Sequence, residues 1–192
     1  MASATAPEAR RAQERGAPQA RVFFALWPDA LTAARLHAAG GEAQARCGGR
    51  RMHRDTLHLT LAFVGEVAPE RVPELVAIGD ALAAAPFTLC IDRLGGWRHN
   101  RIAWAGAQAV PEALAALAAE LGEALRSAGF PTERRAFAPH VTLLRRIETD
   151  LAPCSIGPIE WRAERIALVR SQRDAEGARY DIVAEWPVGA AP

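Results

Sequence analysis

Two copies of one short pattern, His-x-Thr-Leu, are the residues of this chain best suited to chemistry. The copies are His58–Leu61 and His140–Leu143. Each lies in an apolar run of strand length, and successive side chains of a strand point to opposite faces. The histidine and threonine of each copy therefore share one face, while the aliphatic residues share the other. The sequence predicts that two strands contribute the same polar pair to one site.

Such a site fits general acid–base chemistry. Histidine has an unperturbed pKa of about 6.5, so one ring can act as base and the other as acid near neutral pH. Threonine hydroxyls can donate hydrogen bonds to oxygens that gain negative charge during a reaction. Threonine also favours strands, so Thr60 and Thr142 keep a structural interpretation beside the functional one. The pattern leaves open whether His58 or His140 is the acid.

Composition indicates a single domain with a real core. The chain has 192 residues, is 50% hydrophobic and carries a net charge of +1, so no overall charge marks it as a nucleic-acid or membrane binder. It contains no apolar run long enough to span a membrane. Its cysteines are three in number and form no C-x-x-C pair. They argue against a disulfide framework or zinc ribbon and favour reduced thiols in the cytoplasm.

Residues 1–20 are predicted to be a disordered tail, because they are rich in Ala, Arg, Glu, Gln and Pro and have no hydrophobic period. They lack the apolar segment of a signal peptide. Three arginines leave a transit peptide open as an alternative, which Glu8 and Glu14 weaken. We expect residues 21–188 to form one bilobal domain.

The elements that would hold the motifs alternate irregularly between strands and helices. We predict strands near 22–27, 57–64, 87–94, 101–105, 140–145, 163–170 and 178–186, and helices near 31–47, 69–85 and 111–128. Gly95-Gly96 is predicted to turn the chain, and a loop rich in Pro and Gly follows the His140 strand. This order predicts the α+β class with an antiparallel sheet.

The flanks of the two motifs resemble those of a known family. They are Arg21–Leu26, Leu57–Gly65, Pro86–Leu89, Arg101–Trp104 and Phe137–Arg145. The chain resembles the two-histidine (2H) phosphoesterase superfamily over about residues 21–187. Within it, the chain is similar to the RNA 2′,3′-cyclic phosphodiesterases, historically named 2′-5′ RNA ligases (LigT-like). The resemblance implies two pseudo-symmetric lobes, each a small antiparallel sheet with outer helices, around a central cleft.

The resemblance also implies an activity, the hydrolysis of RNA or nucleotide 2′,3′-cyclic ends to 2′-phosphomonoesters. It makes His58 the acid on the departing 3′ oxygen and His140 the base. Phe63 and Arg145, each five positions after a histidine, would serve the terminal base and the phosphate. Strict strand alternation turns Arg145 away from His140 and favours Arg146 as a rival, unless a bulge re-aims Arg145.

No cofactor and no metal are expected, because no H-x-x-x-H pattern, acidic cluster, Walker loop or G-x-G-x-x-G accompanies the histidines. The expected partners are RNA ends or small cyclic nucleotides, without a membrane or an obligatory protein partner, and the chain is expected to be a monomer. Basic loops at 50–54 and 98–101 could follow an RNA backbone or be ordinary solvated loops.

Three alternatives to RNA-end hydrolysis remain. The chain could act on another small substrate, such as ADP-ribose 1″,2″-cyclic phosphate or a 2′-5′ oligonucleotide. It could run the reverse reaction as a ligase. It could also be a non-catalytic module that binds RNA ends, although intact histidines and threonines in both motifs favour catalysis.

Overall fold

The computed structural model describes residues 20–133, 135–173 and 178–189. Their helices and strands are β1 (Ala20–Leu26), α1 (Ala30–Cys47), β2 (Arg50–Arg51), β3 (Leu59–Val67), α2 (Val72–Asp80), β4 (Thr88–Trp97), β5 (Ile102–Gly106), α3 (Glu112–Ser127), β6 (His140–Arg145), β7 (Cys154–Arg162), β8 (Arg165–Arg173) and β9 (Ala178–Pro187). This mixture confirms the predicted α+β class. The predicted disordered tail lies outside the described residues, except for Ala20.

The described strands form one antiparallel sheet made of two halves. Its order is β7-β4-β5-β6-β3-β1-β8-β9, and β2 pairs with the free part of the β6 edge. The halves meet where Leu59 of β3 pairs with Val141 of β6, which are the residues that directly follow the two histidines. Each histidine strand follows its outer neighbour in the sheet after a helix, as β1–α1–β2–β3 and β5–α3–β6. The arrangement is consistent with the predicted two lobes.

The helices cover one face of this sheet. A stripe of leucines on α3 is buried, and it joins the same hydrophobic cluster as the aliphatic residues of both motifs. A buried leucine contributes about 1.5–3 kcal/mol relative to an exposed one. Packing on this face therefore fixes both motif strands and leaves their histidine face uncovered. Within the described ranges, no helix has the length and apolar character needed to cross a membrane.

Two pairs of glycines lie inside regular structure, and the turn predicted at one of them is absent. Helix α1 continues through Gly40 and Gly41 to Cys47, because its buried face offsets the cost of about 1 kcal/mol for each helical glycine. Strand β4 continues through Gly95 to Trp97 instead of turning at Gly95-Gly96. The indole of Trp104, directly opposite on β5, occupies the space that a side chain at position 95 would need. Gly95 therefore marks a close approach within a sheet.

Two strands were missed from the sequence. Strand β2 is only two residues long and lies in the predicted basic loop. Strand β7 lies in the predicted loop rich in Pro and Gly. Proline is tolerated in edge strands and at bulges, and Pro158 meets both conditions. It lies in the edge strand β7, where the register with β4 shifts.

Candidate active site

The two histidines line one cleft on the uncovered face, where the halves of the sheet meet. The cleft has a volume of about 220 Å³ and is lined by Met52, Thr56, His58, Thr60, Asn100, Ile102, His140, Thr142 and Arg145. His58 directly precedes β3, and His140 begins β6. The antiparallel pairing of Leu59 with Val141 sets His58 opposite Thr142, and His140 opposite Thr60. Each histidine thus faces the threonine of the other motif.

The same hydrogen bond orients both imidazole rings. The Nδ1 atom of His58 lies 2.8 Å from the carbonyl oxygen of Thr56, two residues earlier. The Nδ1 atom of His140 lies 2.8 Å from the carbonyl oxygen of Ala138, also two residues earlier. A carbonyl only accepts, so Nδ1 must carry the proton in each neutral ring. Each Nε2 atom is then left to take up or release a proton in the cleft.

Aromatic side chains hold the histidines in place. The His58 ring stacks with Phe23 at 4.9 Å and Trp27 at 5.1 Å, and it meets the edge of Tyr180. The His140 ring makes an edge contact with Trp97 at 4.5 Å. The sequence analysis did not predict these contacts. No spacing signals them, because they join strands that are far apart in the chain.

Burial disfavours the charged form of both rings. It lowers the pKa of His58 to about 4, and the positive charges of Arg145 and His140 act in the same direction. Burial also lowers the pKa of His140, with Arg145 adding to the effect while the bond to Ala138 and the charge of Glu133 oppose it. The neutral form of both rings is therefore favoured at pH 7 in the free protein. An anion bound between them would raise both pKa values.

Each motif strand contains a bulge three residues after its histidine. Leu61 is skipped in the ladder between β3 and β1, and Leu143 is skipped in the ladder between β6 and β5. An extra residue reverses the alternation of side chains beyond it. The fifth residue after each histidine consequently returns to the histidine face. The two motifs are alike in their backbone irregularity as well as in their residues.

The bulge in β6 resolves the disputed position of the arginine. Arg145 lines the cleft, so the alternation that turned it away from His140 is wrong. Arg146 is exposed, has a φ of 58° and does not line the cleft. Phe63 pairs with Phe23 on the histidine side of the sheet but is 41% exposed and lies outside the cleft lining.

Five of the predicted site residues therefore come together, namely His58, His140, Thr60, Thr142 and Arg145, and Phe63 lies at the margin. Four residues that line the cleft were not predicted: Met52, Thr56, Asn100 and Ile102. Met52 and Thr56 belong to the connection from β2 to β3, and Asn100 to the turn between β4 and β5. None of them carries a motif. Only the sheet pairing brings them to the histidines.

The cleft is suited to an anion. Over residues 20–133, 135–173 and 178–189, no group of three or more His, Cys, Asp or Glu side chains is placed to hold a metal ion. The two histidines are joined by hydroxyl groups and by the guanidinium of Arg145. A guanidinium repels metal cations and offers paired donors to phosphate oxygens.

Comparison with known proteins gives a consistent family. The sequence model of the 2'-5' RNA ligase superfamily matches residues 25–175 of this chain. A protein from Escherichia coli (strain K12) named RNA 2',3'-cyclic phosphodiesterase is 39% identical over 97 residues, which are 50% of this chain and 55% of that protein. A protein of the same name from Thermus thermophilus is 32% identical over 180 residues, 86% of this chain and 89% of that one. The chain thus spans about half the length of the first relative and most of the second.

Solved structures extend the likeness to the whole fold. The crystal structure of E. coli LigT complexed with 3'-AMP matches with a TM-score of 0.79 and 28% sequence identity. The match covers 90% of this chain and 99% of that one. This match agrees with the predicted α+β class and is consistent with the predicted two-lobe arrangement.

Proposed function

This chain belongs to the 2'-5' RNA ligase superfamily, and on this premise we propose that it hydrolyses 2′,3′-cyclic phosphodiester ends of RNA or nucleotides to 2′-phosphomonoesters. The observation that carries the proposal is the pair of histidines, His58 and His140, which present Nε2 atoms to one cleft beside Arg145. The names of the curated relatives support the substrate class.

In this proposal the two histidines act on opposite sides of the phosphorus. His140, neutral, accepts a proton from water at Nε2 as the water oxygen bonds to phosphorus. His58, protonated, donates its Nε2 proton to the 3′ oxygen as the bond from that oxygen to phosphorus breaks. The product keeps the phosphate on the 2′ oxygen, and solvent exchange restores the two proton states. Placement of each ring opposite the other motif's threonine supports in-line attack.

The negative charge that develops on the phosphorane needs donors. The hydroxyl groups of Thr60 and Thr142 can each donate a hydrogen bond to a non-bridging oxygen, and Arg145 can add a charge-assisted bond. All three line the cleft with the histidines. These bonds strengthen as charge accumulates, so they favour the transition state over the bound substrate.

The direct test is incubation with a 2′,3′-cyclic nucleotide in excess EDTA. We expect hydrolysis to persist in the chelator and not to rise with Mg²⁺, Mn²⁺ or Zn²⁺, because acid, base and charge stabilisation all come from side chains. Phosphorus NMR should identify a 2′-phosphomonoester as the product. A metal-dependent phosphodiesterase assayed in parallel verifies that chelation is complete. Loss of activity in EDTA with recovery on one metal would reject the mechanism. A 3′-phosphate product would show that the 2′ oxygen, and not the 3′ oxygen, is the leaving group.

The lowered histidine pKa values predict a pH dependence. The active free protein needs one ring protonated and one neutral, and burial lowers the pKa of both rings, that of His58 to about 4. We therefore expect kcat/KM, which reports the free enzyme, to fall as the pH rises from 6 to 8. Bound substrate stays anionic in this range and raises both pKa values, so the kcat optimum should lie at higher pH than the kcat/KM optimum.

Measurement of both parameters from pH 4.5 to 8.5 at constant ionic strength checks this order. A mononucleoside 2′,3′-cyclic phosphate is suitable, since it has no group that titrates near the histidines if the base is uracil. A kcat/KM that rises between pH 6 and 8, or coincident optima, would contradict it.

We further propose that residues 21–188 act as one monomeric unit in the cytoplasm. The three cysteines, Cys47, Cys90 and Cys154, are all free thiols, which supports a reducing compartment.

The assay with a 2′,3′-cyclic nucleotide in EDTA also separates catalysis from the non-catalytic alternative, because a module that only binds RNA ends would leave the cyclic nucleotide unchanged.

A further inference from the structure

Arg50 lies beside Arg145 on the cleft side of the sheet. The short strand β2 pairs with the end of β6, with Arg50 opposite Arg145 and Arg51 opposite Leu144. Residues directly opposite in an antiparallel pair share a face. Arg145 lines the cleft, so Arg50 faces the same side. Arg51 faces the helices, where its Cδ atom lies 3.5 Å from the place of a β-carbon on Gly40 of α1.

The backbone of Arg50 is held firmly despite its place in a connection. The amide of Met52 donates to the carbonyl of Leu143 at 2.8 Å, and the side-chain amide of Gln44 donates to the carbonyl of Gly49 at 2.8 Å. Gly49 has a φ of 94°, and a β-carbon there would lie 2.9 Å from the carbonyl oxygen of Arg145. At Gly49 the backbone therefore lies so close to β6 that only glycine fits there. Arg50 is a fixed neighbour of Arg145.

The two guanidinium groups have no acidic partner within the described residues. Two arginines of the basic loops do have one, since Arg54 pairs with Asp55 and Arg98 with Asp150. The ion pairs of the described chain include neither Arg50 nor Arg145. Like charges directly opposite on neighbouring strands are destabilising. A polyanion lying across both side chains would relieve this repulsion.

We propose that Arg50 binds the phosphodiester that precedes the terminal nucleotide of an RNA chain. The inference rests on the proposed function and extends it to the substrate class, an oligonucleotide end rather than a free nucleotide. Arg50 lies one strand, about 4.8 Å, to the side of Arg145, and it does not line the cleft that holds the histidines. Its guanidinium is thus placed beside the scissile phosphate, where a neighbouring phosphodiester of the same chain could bind.

Two substrates that share one terminal nucleotide test the subsite. They are adenosine 2′,3′-cyclic phosphate and the dinucleotide ApA ending in the same cyclic phosphate, which adds one phosphodiester. Wild-type protein is expected to have the higher kcat/KM for the dinucleotide. Arg50→Gln should reduce this preference about tenfold, the lower end of what a hydrogen bond to a charged group contributes. Arg51→Gln is the matched control and should change both substrates alike.

Salt dependence gives a readout that a structural role would not move. Salt screens the attraction between an exposed guanidinium and a phosphodiester, so losing that contact should reduce the slope of log kcat/KM against log salt. We expect this reduction for Arg50→Gln with the dinucleotide only. Arg50→Lys keeps the charge, so it should retain most of the slope.

The outcomes separate the two proposals. Wild-type protein that hydrolyses neither substrate would overturn the proposed function and the subsite with it. Hydrolysis of both without a preference for the dinucleotide would overturn the subsite alone. So would an equal loss on both substrates in Arg50→Gln, which would assign Arg50 to the scissile phosphate.

Discussion

His58→Ala and His140→Ala are each expected to lower kcat for a 2′,3′-cyclic nucleotide by about 10²–10⁴, the usual contribution of a positioned acid or base. The reason is geometric. Each ring is oriented by an Nδ1 bond to a main-chain carbonyl and presents Nε2 to the same cleft. The double variant should lose little more than the worse single variant, because groups that act as a unit are not additive. Rapid-quench or steady-state assays with one substrate measure the three losses.

Controls must separate lost chemistry from lost structure, because both rings pack on aromatic side chains. His140→Asn keeps a donor for the Ala138 carbonyl but cannot carry a catalytic proton, so it should fold and remain inactive. His53→Ala removes an exposed histidine that pairs with Asp55 outside the cleft, and it should keep full activity. Near-wild-type turnover in either alanine variant of the pair would disprove the two-histidine mechanism.

The sequence could predict the candidate pair of histidines because the signal is local. Side chains of a strand alternate between its two faces, so the repeated His-x-Thr pattern fixes which residues share a face over three positions. Burial of Leu59 and Val141 on the opposite face then follows from the apolar flank. The sequence could not predict how the two motif strands pair, since the pairing of Leu59 with Val141 joins strands that are separated in the chain by two helices and a hairpin.

Strict alternation of side chains predicts the wrong face for residues more than three positions after each histidine. Leu61 and Leu143 look like ordinary strand leucines, yet each is the extra residue of a bulge. A leucine is compatible with either face of these strands, so the residue type does not reveal the bulge. The repeat of the motif offered one signal. Phe63 and Arg145 stand at the same distance in sequence from the two histidines, so they share the histidine face if the two strands have the same irregular backbone. The aromatic contacts of His58 had no such signal, as Phe23 and Tyr180 come from β1 and β9.

Arg145→Lys is expected to lower kcat/KM by about ten- to a hundredfold, whereas Arg146→Lys should be nearly neutral. Arg145 lines the cleft through the bulge at Leu143, where its guanidinium can offer paired donors to two phosphate oxygens. Lysine keeps the charge but loses that fork. Hydrogen bonds to charged groups contribute about 1.5–3 kcal/mol, which corresponds to the expected range.

The pair of lysine variants also tests the bulge itself. Arg146 is exposed, has a φ of 58° and follows the end of β6. Replacing its guanidinium should therefore not change any contact with the phosphate. Without the bulge, position 146 would share the histidine face and position 145 would not. Both variants conserve the net charge, so long-range attraction of the anionic substrate is the same in each. Measured with one cyclic-phosphate substrate, a larger loss at Arg146 would mean that strict alternation holds and that Arg145 has no contact with the phosphate.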